Sequence, residues 1–338
     1  MKKSKLTKIL GGALALTLAV TGITGCSDNG TDSDAGASGS ANAKKIGVIQ
    51  YAPHPSLDNC YQGIKEGLDS SSLDVTIDLQ NAQGSTETAD QIAKNMVAGK
   101  YDMIFAIATP AAVSAYSAAK DSDIPVIFCS VSDPVAAGLV ESMEKGLDTC
   151  VGTSDVLNFE AQLELITALQ PDVKKIGVLY TNTEANSVSH LKTFREVCSA
   201  KGIEVVDQSV SGAADIPQAA TDLASKVDCI NNFTDNNVVN NLNVLLEKAN
   251  AANIPVYGSE VEQVKNGCIA SMSIDYVELG RKTAGMGVEV LGGKKCSDMG
   301  VMVFSDCTPV VNTEVLERFN ITLPEAYSGA EKVTTNKE

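Results

Sequence analysis

The chain has 338 residues, 44% of them hydrophobic, enough to build two ordinary cores. With 42 acidic against 26 basic residues its formal net charge is −16, which argues against nucleic acid and against adhesion to anionic lipid. Two histidines with no ligand cluster around them argue against a metal centre, and no cofactor is expected.

The N-terminus reads as an address. Lys2, Lys3, Lys5 and Lys8 precede the apolar stretch Ile9 to Val20, and Ile23-Thr24-Gly25 leads into Cys26. This is a secretory signal, too short to span a membrane, and its last four residues resemble the lipobox of bacterial lipoproteins. The expectation is a signal peptide over 1–25 and lipidation at Cys26, which holds the protein on the outer face of the cell membrane. Residues 26–43, rich in Gly, Ser, Ala, Asp and Asn, then form a flexible tether. Removing 1–25 takes away four lysines and brings the net charge to about −20.

The folded part repeats itself. Lys44-Lys45-Ile46-Gly47-Val48 recurs as Lys174-Lys175-Ile176-Gly177-Val178, and Ile124-Pro125-Val126 recurs as Ile254-Pro255-Val256, both at an offset of 130. That period is far longer than the roughly 20–50 residues of a solenoid and marks a duplicated domain. In the first half, strand Lys45–Gln50 is followed by a helix from Leu57 to Leu68 and strand Val75–Leu79. A helix capped by Ser85 or Thr86 comes next, then strand Met103–Ala108. Thr109-Pro110 reads as a cap and first turn, and strand Pro125–Cys129 ends in Ser130-Val131-Ser132-Asp133.

The second half offers strand Ile176–Tyr180, a helix to Ala200, strand Ile203–Val206, a helix from Ile216 to Ala224 and strand Asp228–Asn231. Helix Val238–Ala251 and strand Pro255–Tyr257 follow. Tyr276–Leu291 is an amphipathic helix, Val301–Phe304 a last strand and Asn312–Phe319 a last helix. The fold class is α/β, with two doubly wound Rossmann-like lobes about a central cleft. Lobe one takes 44–150 and 274–297; lobe two takes 151–273 and 298–330. Thr149–Asp155 and Gly267–Asp275 lie outside the repeat and are expected to form the hinge. The eight cysteines beyond Cys26 lack C-x-x-C spacing and are read as mostly free thiols.

Ligands of open α/β sheets sit at the carboxyl ends of the strands. The candidates there are Tyr51, Thr109, Ser130, Ser132 and Asp133 in the first half, and Glu184, Asn186, Ser187, Asp235 and Glu260 in the second. The three arginines, Arg195, Arg281 and Arg318, fall in predicted helices, so an anion finds no guanidinium clamp. Helix N-termini after Thr109 or Ser132, or at Asn186-Ser187, can hold one carboxylate. Asp235, with Glu184 or Glu260 in reserve, is expected to take an ammonium. A zwitterion fits both features, and a large apolar or aromatic amino acid is favoured. Tyr51, Phe128, Tyr180 and Phe233 are candidates for its side-chain pocket. No nucleophile elbow, phosphate loop or metal motif is present, so an enzyme is not expected.

The strings His54-Pro55-Ser56-Leu57-Asp58, Gln80-Asn81-Ala82-Gln83-Gly84, Ala108-Thr109-Pro110-Ala111-Ala112 and Ser132-Asp133-Pro134-Val135 continue through Gly152-Thr153-Ser154-Asp155. Glu184-Ala185-Asn186-Ser187, Thr234-Asp235-Asn236 and Asp275-Tyr276-Val277-Glu278-Leu279-Gly280-Arg281 follow. Together they resemble ABC-transporter substrate-binding lipoproteins of the TrpX-like group, related to type I periplasmic binding proteins. Phe233, Asn237 and Glu260 depart from the pattern. The resemblance implies a monomeric receptor that closes on a small ligand, often an aromatic amino acid, and hands it to an ABC permease driven by an ATPase. A sugar or nucleoside ligand, or presentation of the ligand to a receptor kinase, are the alternatives.

Overall fold

The computed structural model describes residues 43–336, so the signal and lipidation residues, Cys26 included, lie outside the described part. The first half builds β1 (Lys44–Gln50), α1 (Pro55–Asp69), β2 (Val75–Asn81), α2 (Thr86–Ala98), β3 (Met103–Ile107), α3 (Thr109–Ala119) and β4 (Val126–Cys129). A small hairpin of β5 (Val140–Ser142) and β6 (Lys145–Gly146) precedes β7 (Cys150–Asp155). The second half runs α4 (Phe159–Leu169), β8 (Lys175–Thr181), α5 (Ala185–Ala200), β9 (Glu204–Val210), α6 (Ile216–Ala224) and β10 (Cys229–Asn231). It continues through α7 (Asn236–Asn240), α8 (Leu242–Ala251), β11 (Val256–Tyr257), α9 (Val261–Lys265) and β12 (Ala270–Ser273). The chain returns through α10 (Tyr276–Leu291) and β13 (Met302–Phe304), then ends with β14 (Thr308–Asn312), α11 (Thr313–Arg318) and β15 (Glu331–Val333).

The duplication is visible in the sheets. The first has the order β13-β7-β4-β3-β1-β2 and the second β11-β10-β8-β9, so each half places its first four strands in the same 4-3-1-2 order, all parallel. Strands buried on both faces read as near-continuous apolar runs, as Met103–Ile107 and Val126–Cys129 do. The apolar side chains segregate into one core around the first sheet and two flanking the second. In the second half β12 extends the sheet through Gly258 N–H to Ala270 O (2.9 Å) and Ile269 N–H to Val256 O (2.8 Å), and β14 and β15 follow it.

Three expectations change. The hinge does not lie within Thr149–Asp155: Cys150–Asp155 is buried as a strand of the first sheet, pairing with β4 on one side and β13 on the other. The crossings between halves are 156–158, 274–275 and 305–307, so the limits drawn at 150/151 and 297/298 fall short of them. Gly267–Asp275 likewise contains β12, a strand of the second half, with only its end crossing over. Finally, Val238–Ala251 is not one helix, since the chain breaks at Asn241 into α7 and α8. The eight cysteines from Cys60 to Cys307 are free, and all but Cys307 are buried.

Candidate functional site

The first wall of the cleft is built from strand ends of the first sheet. After β3, Ala108 adopts φ 79° and ψ 153°, a region nearly reserved for glycine, and Ser130 after β4 has φ 58°. Ala108, not Thr109, is the N-cap of α3, which corrects the expectation. Its N–H is taken by Cys129 O, and Ala112 begins the helix's own bonding to Ala108 O. Pro110 has no N–H, so Thr109 and Ala111 keep the orphan donors of the first turn. Thr109 is buried and faces the cleft.

Behind this wall stands Asp155, at the end of β7. Ser130 Oγ donates to its Oδ2 at 2.9 Å, Tyr276 OH donates to the same oxygen at 3.1 Å, and Ser132 Oγ donates to Oδ1 at 3.3 Å. Because both serines spend their protons on Asp155, their remaining lone pairs are what the cleft meets. Burial pushes the Asp155 carboxyl up to about 6, against which the hydroxyl bonds pull.

The opposite wall comes from α5, α7 and the loop before it. Asn186 Nδ2 lies within bonding distance of Glu184 Oε2 (3.3 Å) and Thr234 O (3.3 Å), which leaves its buried Oδ1 without a protein partner. Thr234 Oγ1 is also buried and unpartnered. His54 enters from the first half. Asn236 gives its Nδ2 to Glu184 Oε2 at 2.6 Å, so its Oδ1 faces His54 Nε2 at 3.5 Å. That arrangement puts the imidazole proton on Nε2 and leaves Nδ1, buried and unpartnered, as an acceptor. Burial lowers the His54 pKa to about 4, so the ring is neutral at pH 7.

The two walls meet around a space of about 20 Å³ lined by His54, Thr109, Ser130, Ser132, Asn186, Thr234 and their neighbours. A second contact across the cleft joins Ser189 Oγ to Asp133 Oδ2 at 2.8 Å. The chemistry of the space is lopsided. Among the residues that line it, His54 and Asn186 keep an unpartnered acceptor, Ser130 and Ser132 keep their lone pairs and Thr234 a free hydroxyl, while the α3 N-terminus supplies donors at one end. Four acids, Asp155, Glu184, Asp235 and Glu260, are buried around the cleft, yet no lysine or arginine is among the buried side chains of the described residues. Uncompensated buried carboxylates are costly and call for a cation or a proton.

The expected ammonium partners are placed differently from the sequence reading. Asp235 accepts from Thr181 N–H (2.6 Å), Thr181 Oγ1 (2.9 Å), Ser187 Oγ (2.7 Å) and Val238 N–H (2.9 Å), so it caps α7 and ties the second half together. Glu184 accepts from the N–H groups of Asn236 and Asn237, both at 3.0 Å. Burial and the nearby Asp235 charge raise its pKa. Glu260 caps α9 through Glu262 N–H (2.6 Å) and Gln263 N–H (2.8 Å), and burial raises it to about 7. These three carboxylates face their own backbone, because a short helix N-terminus recruits an acid as readily as a ligand does.

Of the other candidates, Thr109, Ser130, Ser132 and Asn186 come together at the cleft. Ser187 is fully buried as a partner of Asp235, and Asp133 bridges the halves. Tyr51 gives its hydroxyl to Gly84 O at 3.0 Å, inside the first half. Phe128 is core, Tyr180 packs against the second core, and Phe233 joins Phe159, His190 and Phe194 in an aromatic cluster. His54 and Asp155 are not among the contacts expected from sequence, and Thr234 and Asn236 are read there with Asp235 as a polar segment at a strand end; all four lie in the strings that carry the family resemblance.

Comparison with known proteins agrees with this architecture. The sequence profile of the ABC transporter substrate binding protein family matches residues 45–333. The chain is 37% identical over 328 residues to a tyrosine-binding protein of Clostridioides difficile, covering 95% of this chain and 94% of that one. It is similar to a crystal structure from Streptococcus pneumonia in complex with L-Trp, at 36% identity and a TM-score of 0.83, covering 86% of this chain and 99% of that one. A ligand-free, open substrate-binding protein with adhesive properties from Clostridium difficile is 35% identical and covers 87% of this chain and 100% of that one. Its TM-score is only 0.66, a drop at equal identity that fits a different opening of the two halves. With two lobes, a cleft built from strand ends and a profile match over nearly all of the described residues, this chain belongs to the ABC transporter substrate-binding proteins.

Proposed function

We propose that this substrate-binding protein closes on an α-amino acid with an aromatic side chain and delivers it to its permease without altering it. The carrying observation is the cleft's charge balance: unpartnered polar atoms of His54 and Asn186 and the Asp155 carboxylate behind Ser130 and Ser132 stand on its walls, no lysine or arginine is buried among the described residues, and one helix N-terminus offers donors. An ammonium meets Ser130 Oγ, Ser132 Oγ, Asn186 Oδ1 and His54 Nδ1, with the Asp155 charge directly behind the serines. A carboxylate meets the N–H groups of Thr109 and Ala111, as anions do at helix N-termini. The tyrosine and L-Trp in the names of two relatives support the aromatic class.

Closure on a ligand larger than the present space requires the halves to part and re-close, as two-lobed receptors do. The N-terminal sequence supports secretion and anchoring through Cys26 to the outer face of the membrane, with the chain acting as a monomer. Replacing Cys26 with serine is expected to release the protein or leave the signal uncleaved, and unchanged membrane attachment would count against the anchor. Ligand class is tested by a thermal-shift screen of the twenty amino acids beside sugars, nucleosides and small peptides. A ligand at 100 times its dissociation constant adds about 2.7 kcal/mol, so the aromatic amino acids should stand out. Stabilisation by a sugar or nucleoside with every amino acid silent would overturn the reading, and so would slow consumption of the bound compound.

A further inference from the structure

His190 is the least explained polar side chain near the cleft. It is 6% exposed, and neither ring nitrogen has a hydrogen-bond partner in the protein. Phe159 and Phe233 both stand edge-on to it with centroids 5.6 Å away, and Phe194 completes the cluster at 5.3 Å from Phe159 and 5.5 Å from Phe233. Burial lowers its pKa to about 4 against the pull of Asp133, so the imidazole is neutral and carries one donor and one acceptor. A buried polar group with both atoms unspent demands an explanation, and an apolar side chain of similar shape would cost the fold less.

Its address supplies one. On α5, Asn186 and His190 are one turn apart and share a face, and Asn186 lines the cleft. Phe233 precedes Thr234, which also lines the cleft. The next residue of α5 before His190, Ser189, carries the bond to Asp133 that closes the two halves. The aromatic cluster thus lies one helical turn from Asn186 and next in the chain to Thr234, two residues that line the cleft, and His190 feels the charge of Asp133 from the first half.

Resting on the amino-acid reading above, we propose that Phe159, His190 and Phe233 form the side-chain subsite, and that His190 selects an aromatic ring with a hydrogen-bonding edge. A ligand ring takes a place among the three side chains at the centroid separations aromatic groups favour, about 4.5–7 Å. A phenol hydroxyl satisfies either nitrogen of His190, an indole N–H satisfies only the acceptor, and a phenyl ring satisfies neither. The order of preference is accordingly tyrosine, then tryptophan, then phenylalanine. Binding sites built around a hydroxyl reject the analogue lacking it because their own polar atoms stay unpaired.

Isothermal titration of the wild-type chain, His190→Phe and His190→Gln with L-tyrosine, L-tryptophan and L-phenylalanine tests this, with thermal unfolding confirming that each variant is folded. The wild type should bind tyrosine at least about tenfold more tightly than phenylalanine. His190→Phe should erase or invert that ratio while keeping phenylalanine affinity, and His190→Gln, which retains a donor and an acceptor, should keep a tyrosine preference. A ratio unchanged in His190→Phe overturns the assignment and leaves the amino-acid reading standing. Should His190→Phe not fold, a His190→Gln protein that binds the three equally overturns it as well. A wild type that binds none of the three defeats the underlying reading instead.

Discussion

At the scale of single residues, two buried aspartates of similar exposure do different work. Asp235 has its oxygens filled by four donors of its own half, whereas Asp155 holds the two serines whose lone pairs face the cleft. Asp155→Asn is therefore expected to fold normally and to bind the ligand at least about tenfold more weakly, since it removes the charge behind the ammonium site. Asp235→Ala should instead cost about 1–3 kcal/mol of stability through lost capping and unpaired donors, read as a lower denaturation midpoint. The same acids set a pH dependence. Asp155 and Glu260 rise from 3.8 and 4.5 to about 6 and 7 because burial disfavours their ionised forms. Folding then binds protons, so without ligand this contribution is full below the free values and is lost as pH climbs through the folded ones. An ammonium at the cleft favours the ionised Asp155, so the ligand-induced rise in Tm should grow between about pH 5 and about pH 8. A rise that is flat or shrinks across that range would contradict the placement. Sequence alone named Asp235 because it stood in a polar strand-end segment. It could not tell a cap from a contact, because both need an acid beside free N–H groups.

At the scale of elements, most boundaries were legible because the signals are local. Ser85 caps α2 by accepting from Thr88 N–H at 3.1 Å, and Tyr276–Leu291 begins after Asp275, which accepts from Val277 and Glu278 N–H, both at 2.9 Å. The break of α7 from α8 at Asn241 was hidden, since Val238, Leu242, Leu245 and Leu246 keep an unbroken apolar face across it. Hidden too was the partner of α10. It packs on α1 so closely that a Cβ at Gly63 would stand 2.0 Å from Val277 O, and one at Gly280 would stand 2.2 Å from Cys60 O. Those obstacles are backbone, and neither helix can yield without moving. Gly63→Ala or Gly280→Ala is expected to destabilise by at least about 1–3 kcal/mol in chemical denaturation. A wild-type midpoint in either variant would mean the helices are less tightly seated. Composition gives no warning of such a contact, because a helix-interior glycine reads in sequence only as a weak point.

At the scale of the whole molecule, the repeat at an offset of 130 foretold two copies of one topology, and both sheets carry the 4-3-1-2 order. The hinge was harder to see. β7 and β13 belong to the first sheet although their sequence neighbours on one side, α4 and β14, belong to the second half, and the pairing of Thr153 with Met302 leaves no local trace in the sequence. Three short crossings, 156–158, 274–275 and 305–307, let the halves rotate as bodies while their sheets stay intact. The side-chain hydrogen bonds between the halves among the described residues, Ser189 to Asp133 and His54 to Asn236, both meet competition from water once the cleft opens. A ligand shifts that equilibrium only through contacts it makes better in the closed form; on the proposed placement these are the α3 N-terminus and Ser130 from one half and Asn186 from the other. Asp133→Ala should thus leave each half folded but enlarge the radius of gyration without ligand, with saturating L-tyrosine restoring the compact value at a higher concentration than the wild type needs. Small-angle scattering measures both quantities. Curves that are identical with and without ligand, in both proteins, would show that binding does not draw on closure at all.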